Sequence, residues 1–137
     1  MAADTQCTGD YIVRLQKVFR LPNGGVVGMS GKLTQAYSAV KWMLDGEQGD
    51  PPVFKGASLL IMQPDGSLSM VDDEFPAIPI MDKVAAIGSG AQAAMLAMTE
   101  GATAAGAVRK AAKVDPYTSE PVQQFSIAPQ KPKRRVR

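Results

Sequence analysis

The sequence predicts an α+β fold in which helices pack as layers on antiparallel sheet. Three observations carry that prediction. Two hairpin signals, Pro22-Asn23-Gly24-Gly25 and Pro64-Asp65-Gly66, each lie between short runs rich in apolar residues. Thr34–Leu44 has helical spacing, with Ala36, Val40 and Met43 on one stripe. Val84–Met98 (VAAIGSGAQAAMLAM) reads as a short buried strand, Val84–Ile87, that turns through Gly88-Ser89-Gly90 into an alanine-rich helix.

Taken in order, Met1–Thr8 reads as a strand entered near its end, and Gly9-Asp10 is a turn signal. Tyr11–Leu15 and Gln16–Leu21 are short strands, and Val26–Met29 returns across the first hairpin. Asp45–Lys55 is a turn-rich loop that ends the first helix. Ala57–Met62 and Ser67–Val71 form the second hairpin, followed by a loop containing Pro76 and Pro79. Gly101 punctuates the alanine helix, and a further helix, Ala104–Lys113, leads to Asp115-Pro116-Tyr117-Thr118. Ser89 is placed either to cap the helix or to direct its hydroxyl into a site. Residues 1–120 are expected to form one domain, and 121–137 an irregular, disordered, proline-containing basic tail.

With 137 residues, 45% hydrophobic and 20% charged, the chain can bury one core and is too short for two domains. No uncharged stretch is long enough to span a bilayer. The first residues lack the basic and apolar regions of a secretory signal, so a cytoplasmic location is expected. The single Cys7 cannot form an internal disulfide or a zinc site. Histidine is absent, which removes Ser-His-Asp and Cys-His catalysis and every imidazole metal site. No cofactor is expected, and hydrolytic chemistry would need an amine or a lysine as its base. Net charge is +2, yet Lys131, Lys133, Arg134, Arg135 and Arg137 supply five of the fifteen basic groups. The rest carries ten basic against thirteen acidic residues, net −3. Such a tail suits nucleic acid or an acidic surface, but it has no aromatic residue for base stacking.

Four segments in one order carry a family resemblance: Ala2-Ala3-Asp4 followed by Lys17-Val18; Gly28–Gly31 (GMSG) before a helix; ASLLIM-turn-SLSMV; and AAIGSG before an alanine helix, closing on Asp115-Pro116-Tyr117-Thr118. This order resembles the proteasome β-subunit and, more closely, the HslV-type bacterial peptidases, over roughly residues 1–120. The resemblance implies a four-layer αββα N-terminal-nucleophile hydrolase fold. It also implies catalysis without histidine, by an N-terminal threonine whose own amine is the base. Asp4 matches the family aspartate and Lys17 the lysine beside the nucleophile. Gly31 matches the oxyanion-hole glycine and Ser89 the serine of the GSG turn. Asp115 and Thr118 match the late aspartate and hydroxyl that complete the network. A homo-oligomeric ring, a polypeptide substrate and an ATPase unfoldase partner are further implications. Read singly, each residue also fits a cap, a turn or a solvated position.

The family threonine begins a strand about a dozen residues before the aspartate that Asp4 matches, and three residues precede Asp4 here. The chain beginning at Met1 is therefore expected to lack the first strand and to be inactive. Self-cleavage before Cys7 or Thr8 would place a new terminus on the wrong strand, and Thr5 is the other nearby hydroxyl. Either an upstream segment begins with threonine or serine, or the fold serves assembly without catalysis. In the second case an open sheet edge would pair with another chain, as in a phage-type structural component of a virion. A third reading, an unrelated α+β binding module, requires the ordered match to be accidental.

Overall fold

The computed structural model describes residues 1–9 and 11–127. In chain order the strands are β1 (Ala2–Ala3), β2 (Gln6–Thr8), β3 (Ile12–Arg14), β4 (Val18–Arg20) and β5 (Val26–Gly31). Helix α1 (Leu33–Leu44) follows, then β6 (Ala57–Met62), β7 (Leu68–Asp72) and β8 (Glu74–Ile80). Helices α2 (Ala91–Thr99) and α3 (Ala104–Ala112) and strand β9 (Gln123–Gln124) complete the described elements.

Two hairpin loops of one design build the central sheet. In Leu21–Gly25 and in Gln63–Ser67, proline opens a turn closed by the third-residue glycine amide: Gly24 N–H bonds Leu21 O at 3.0 Å, and Gly66 N–H bonds Gln63 O at 2.9 Å. Gly24 (φ +89°) and Gly66 (φ +90°) then take the left-handed conformation, which makes each a three-residue turn with a bulge. Asn23 is not left-handed; its side chain accepts the Gly25 N–H at 2.8 Å instead. The sheet runs β4-β5-β6-β7-β8, antiparallel throughout. Its last strand corrects the sequence reading, which left Pro76 and Pro79 in a loop. Both prolines lie in β8, an edge strand, where a missing N–H is tolerated.

Alternation along the strands gives the sheet two faces. Val27, Met29, Leu59, Ile61 and Val71 face α1 and meet Ala36, Ala39, Val40 and Met43, with Phe54 plugging the margin. Gly28, Ser30, Ser58, Leu60, Met62 and Leu68 face the opposite way. Beyond that face lie β1, paired antiparallel with β9, and the α2–α3 pair. The layers are thus α1, the five-stranded sheet, the β1–β9 ribbon, and α2–α3. Alanines 94, 97, 107 and 111 form the α2–α3 contact, so small side chains let the two helices approach closely.

Two further expectations change. Val84–Ile87 has no ladder partner and is neither a strand nor buried: Val84 is exposed and the other three are half-buried. Strand β9 and the Met1 α-ammonium, which donates to Phe125 O at 2.7 Å, place ordered chain within the stretch expected to be an irregular tail. Its basic residues Lys131–Arg137, and Asp10 of the expected turn, lie outside the described residues. Among the described residues no helix is long and apolar enough to cross a membrane.

Leu59 is fully buried against α1, so Leu59→Ala should lower stability by about 3 kcal/mol in urea unfolding. A loss below about 1 kcal/mol would mean that α1 is not packed on this face.

Candidate functional site

A cleft of about 820 Å³ opens between the inner sheet face and α2–α3, and Asp4, Lys17, Gly31, Ser89 and Thr118 all line it. Asp115 stands directly behind the last two. The six residues singled out from sequence therefore meet at one place, although 111 positions separate Asp4 from Asp115.

Asp4 follows β1, and Lys17 immediately precedes β4. Their side chains are 11% and 13% exposed for lysine and aspartate respectively, and Lys17 Nζ donates to Asp4 Oδ1 at 2.8 Å. The other Asp4 oxygen accepts the Gln6 N–H at 3.1 Å and the Ser119 N–H at 3.3 Å. Lys17 is held from its backbone as well, its N–H donating to Gln123 Oε1 at 2.7 Å. A buried ion pair persists only with such additional bonds, because desolvation of both charges opposes it.

Across the cleft, Ser89 Oγ donates to Asp115 Oδ2 at 2.6 Å, and Thr118 Oγ1 donates to the same oxygen at 2.5 Å. The Tyr117 N–H holds Oδ1 at 3.2 Å. Both hydroxyl protons are spent on Asp115, so each hydroxyl offers the cleft only acceptor lone pairs. A cation or an amine is the group such a wall receives. Burial pushes the Asp115 carboxyl up. The bonds from Ser89, Thr118 and Tyr117, with the positive charge of Lys17, outweigh it and hold the carboxyl below its ordinary range. Ser89 does not cap α2, whose N-cap is Gly90.

Glycines make these approaches possible. A Cβ at Gly90 would stand 3.0 Å from Thr118 Oγ1 and 3.2 Å from Ala111 Cβ. Gly31 has φ +88°, and a Cβ there would meet Gly56 O at 2.5 Å. Met29 N–H bonds Lys17 O at 2.9 Å, so the Gly31 N–H, two residues on, projects from the same strand edge beyond the start of β4. It is placed there as a donor toward the cleft.

Other polar residues of the site carry no signal in the sequence. Gln6 is 4% exposed, and its Nε2 donates to Thr8 Oγ1 at 2.8 Å and Pro116 O at 3.0 Å. Thr5 Oγ1 donates to Pro121 O at 2.9 Å. These bonds tie the 116–121 segment to the chain after β1, across more than a hundred residues, and no local spacing announces them.

Solved structures of HslV and of a related subunit share this architecture. Thiobacillus denitrificans BPH in complex with epoxomicin matches with a TM-score of 0.66 and 20% identity, over 93% of this chain and 92% of that one. A second structure of Thiobacillus denitrificans BPH matches at 0.65 and 21%, over 94% and 92%. Eukaryotic HslV from Trypanosoma brucei matches at 0.67 and 20%, over 89% and 88%. No family model and no curated protein matches the chain. The fold is HslV-like, as the ordered motifs implied.

Because the folded Asp115 carboxyl ionises more readily than an unfolded one (about 3.9), it stabilises the fold above that pH and ceases to as pH falls through its folded value. Melting curves from pH 7 to pH 2 should therefore show a steeper acid loss for the native chain than for Asp115→Asn. Parallel curves would mean that the two hydroxyls do not favour the charged carboxylate.

Proposed function

We propose that this cleft is the amine-holding and oxyanion-holding half of an N-terminal-nucleophile peptidase site, with the nucleophile on a segment preceding Met1. One observation carries the reading: a nine-tenths-buried lysine, paired to Asp4, lines the same cleft as two hydroxyls that can only accept. A free α-amine seated between Ser89 and Thr118 would be bound there by their lone pairs, and the threonine or serine hydroxyl beside it would lie near Lys17.

The ribbon geometry supports a strand in that place. Met1 and Phe125 exchange ladder bonds in both directions, so Ala2, the next residue, turns its N–H and C=O to the opposite edge of β1. An extended segment pairing there would fill the cleft between Leu60, Met62 and Leu68 on the sheet and Ala94 and Ala107 on the helices. The Met1 sulfur already rests in this space, 3.0 Å from where a Gly28 Cβ would be.

In this mechanism the hydroxyl oxygen attacks the peptide carbonyl carbon as its proton passes to the α-amine, directly or through water. Lys17 stabilises the alkoxide as it forms, and the Gly31 N–H receives the carbonyl oxygen as it becomes an oxyanion. Collapse of the tetrahedral intermediate returns the proton to the leaving amine and leaves an ester. Water then attacks that ester, releasing the acid and restoring the hydroxyl. Asp4 keeps Lys17 placed, and Asp115 keeps Ser89 and Thr118 turned as acceptors. The same reading makes the protein a self-assembling cytoplasmic ring with polypeptide substrates and an ATPase unfoldase as partner. The edge of β1 opposite β9, unpaired among the described residues, also supports a second reading, a non-catalytic assembly protein that pairs this edge with another chain.

The test is the intact mass of the protein made from its natural locus, before and after epoxomicin. A threonine or serine terminus upstream of Met1, one covalent addition per chain, and loss of that addition in Lys17→Ala are the expected results. A terminus at Met1 or Ala2 with no addition would remove the peptidase reading and leave the assembly role.

A further inference from the structure

The cleft carries a charge opposite to that of the chain that forms it. Among the described residues three cations line it, Lys17, Lys32 and Lys83, against one carboxylate, Asp4. Asp4 is spent on Lys17, which leaves Lys32 and Lys83, and neither has an ion-pair partner among the described residues. Outside Lys131–Arg137 the chain has ten basic and thirteen acidic residues, net −3. We propose that the cleft selects polypeptide segments bearing aspartate or glutamate side chains, and that Lys32 and Lys83 are the residues that read them. The inference rests on the peptidase reading for the ligand being a polypeptide, and adds its charge class.

Both lysines are exposed, and the backbone that bears each is fixed at the cleft. Lys32 is the corner between β5 and α1. Its N–H bonds Gly56 O at 2.7 Å, and its own C=O accepts the Gln35 and Ala36 N–H groups at 3.0 Å each. It directly follows Gly31, the oxyanion donor of the proposed mechanism, so its ammonium stands on the wall that a bound peptide carbonyl faces. Lys83 opens the 83–88 stretch, every residue of which lines the cleft. That stretch meets β5 where a Gly88 Cβ would stand 3.3 Å from Ser30 Cβ. Ser30 is two residues before Lys32 and Gly88 five after Lys83, so the two cations flank one contact on the cleft wall.

The neighbouring carboxylates do not neutralise them. Asp115 is taken by Ser89, Thr118 and the Tyr117 N–H, and Asp72 accepts the Ser58 hydroxyl at 2.9 Å. Asp82, next to Lys83 in sequence, is not part of the lining. The wall beside the lysines is apolar, with Leu33, Ala85, Ala86 and Ile87. A cleft of one sign with low-dielectric walls focuses its field into the opening and speeds capture of ligands of the other sign. Helices α1 and α2 both start at this cleft, at Lys32 and Gly90, with no side-chain cap and no acid in the first turn. Their dipoles add to the same field without making a site of their own. A lysine-bearing segment meets that field as a repulsion, so the selection works by exclusion as well as attraction.

Initial fluorescence anisotropy of short rhodamine-labelled peptides, on the protein made from its natural locus, tests the assignment. The peptides share one apolar sequence and differ at two positions, which hold Glu, Gln or Lys. At low salt the Glu peptide should bind about tenfold more tightly than the Gln peptide, about threefold for each exposed ion pair, and the Lys peptide more weakly than either. The Glu advantage should fall below about twofold at about 0.5 M salt, where the charges are screened. Lys32→Gln/Lys83→Gln should bring the Glu peptide down to the affinity of the Gln peptide. Lys55→Gln/Lys113→Gln removes the same charge away from the cleft and should keep the full advantage. The proposal is overturned if the Glu peptide does not bind, or binds no better than the Gln peptide. Equal behaviour of the two double variants also overturns it, since net charge alone would then be the cause. So does displacement of the Glu peptide by a single-stranded oligonucleotide at lower concentration, which would make the cleft a nucleic-acid site. Epoxomicin separates this inference from the peptidase reading. Covalent addition without a Glu preference leaves a peptidase that lacks this selectivity, whereas a Glu preference without addition leaves an acidic-peptide cleft that lacks catalysis.

Discussion

The buried Asp4 carboxylate is the contact on which the site depends. One of its oxygens takes the Lys17 ammonium and the other takes two backbone amides, from Gln6 and Ser119. Three separate stretches of chain thereby meet at a single side chain: the corner after β1, the entrance to β4, and the segment after α3. Removing one partner of such a pair leaves a charge uncompensated in a poorly solvated place, an effect of about 3–5 kcal/mol. The pair is therefore a strong constraint on geometry, even though forming it from solvated ions gives little net stability. What it secures is position: a positive charge at a set place in the cleft.

The opposite wall follows the same logic with neutral groups. Asp115 orients two hydroxyls by accepting both protons, and Gly90 lets the α2 entrance come within van der Waals distance of Thr118 and Ala111. Lys17 reinforces the Asp115 charge from across the cleft. Each wall is thus held by its own carboxylate, and the space between them is left for a ligand. The apolar cores stand apart from this arrangement. The larger one binds α1 to the outer sheet face, while the α2–α3 contact relies on alanines that bury little area apiece. The helix pair is consequently the layer that depends most on what fills the cleft beside it.

Much of this was legible in the chain itself. Pro-Asn-Gly and Pro-Asp-Gly mark both hairpins, because each glycine is needed for the left-handed residue that follows the turn. The stripe of Ala36, Val40 and Met43 marks α1, and all three residues are buried. Gly101, φ +96°, separates α2 from α3 as expected. The errors have equally physical sources. Val84–Ile87 has the composition of a strand but no neighbouring strand to pair with. Glu74–Ile80 has two prolines yet forms β8, because Pro79 sits in an edge strand and Pro76 in the irregular step of its register opposite Met70–Asp72. Gln123–Gln124 has no apolar pattern, and it is a strand only because β1 lies beside it.

By itself the sequence determined the local punctuation, the amphipathic helix, the absence of imidazole chemistry and the order of motifs that implied an HslV-like fold. Those follow from short-range sterics, from periodicity and from composition, all of which can be read along a chain. The tertiary structure alone decided that Asp4 meets Lys17 and Ser119, that Ser89 and Thr118 share one oxygen of Asp115, and that a cleft lies between these two groups. Those pairings join residues as many as 115 positions apart. No local signal can specify them, because their energy comes from burial and mutual hydrogen bonding that exist only once the layers have closed.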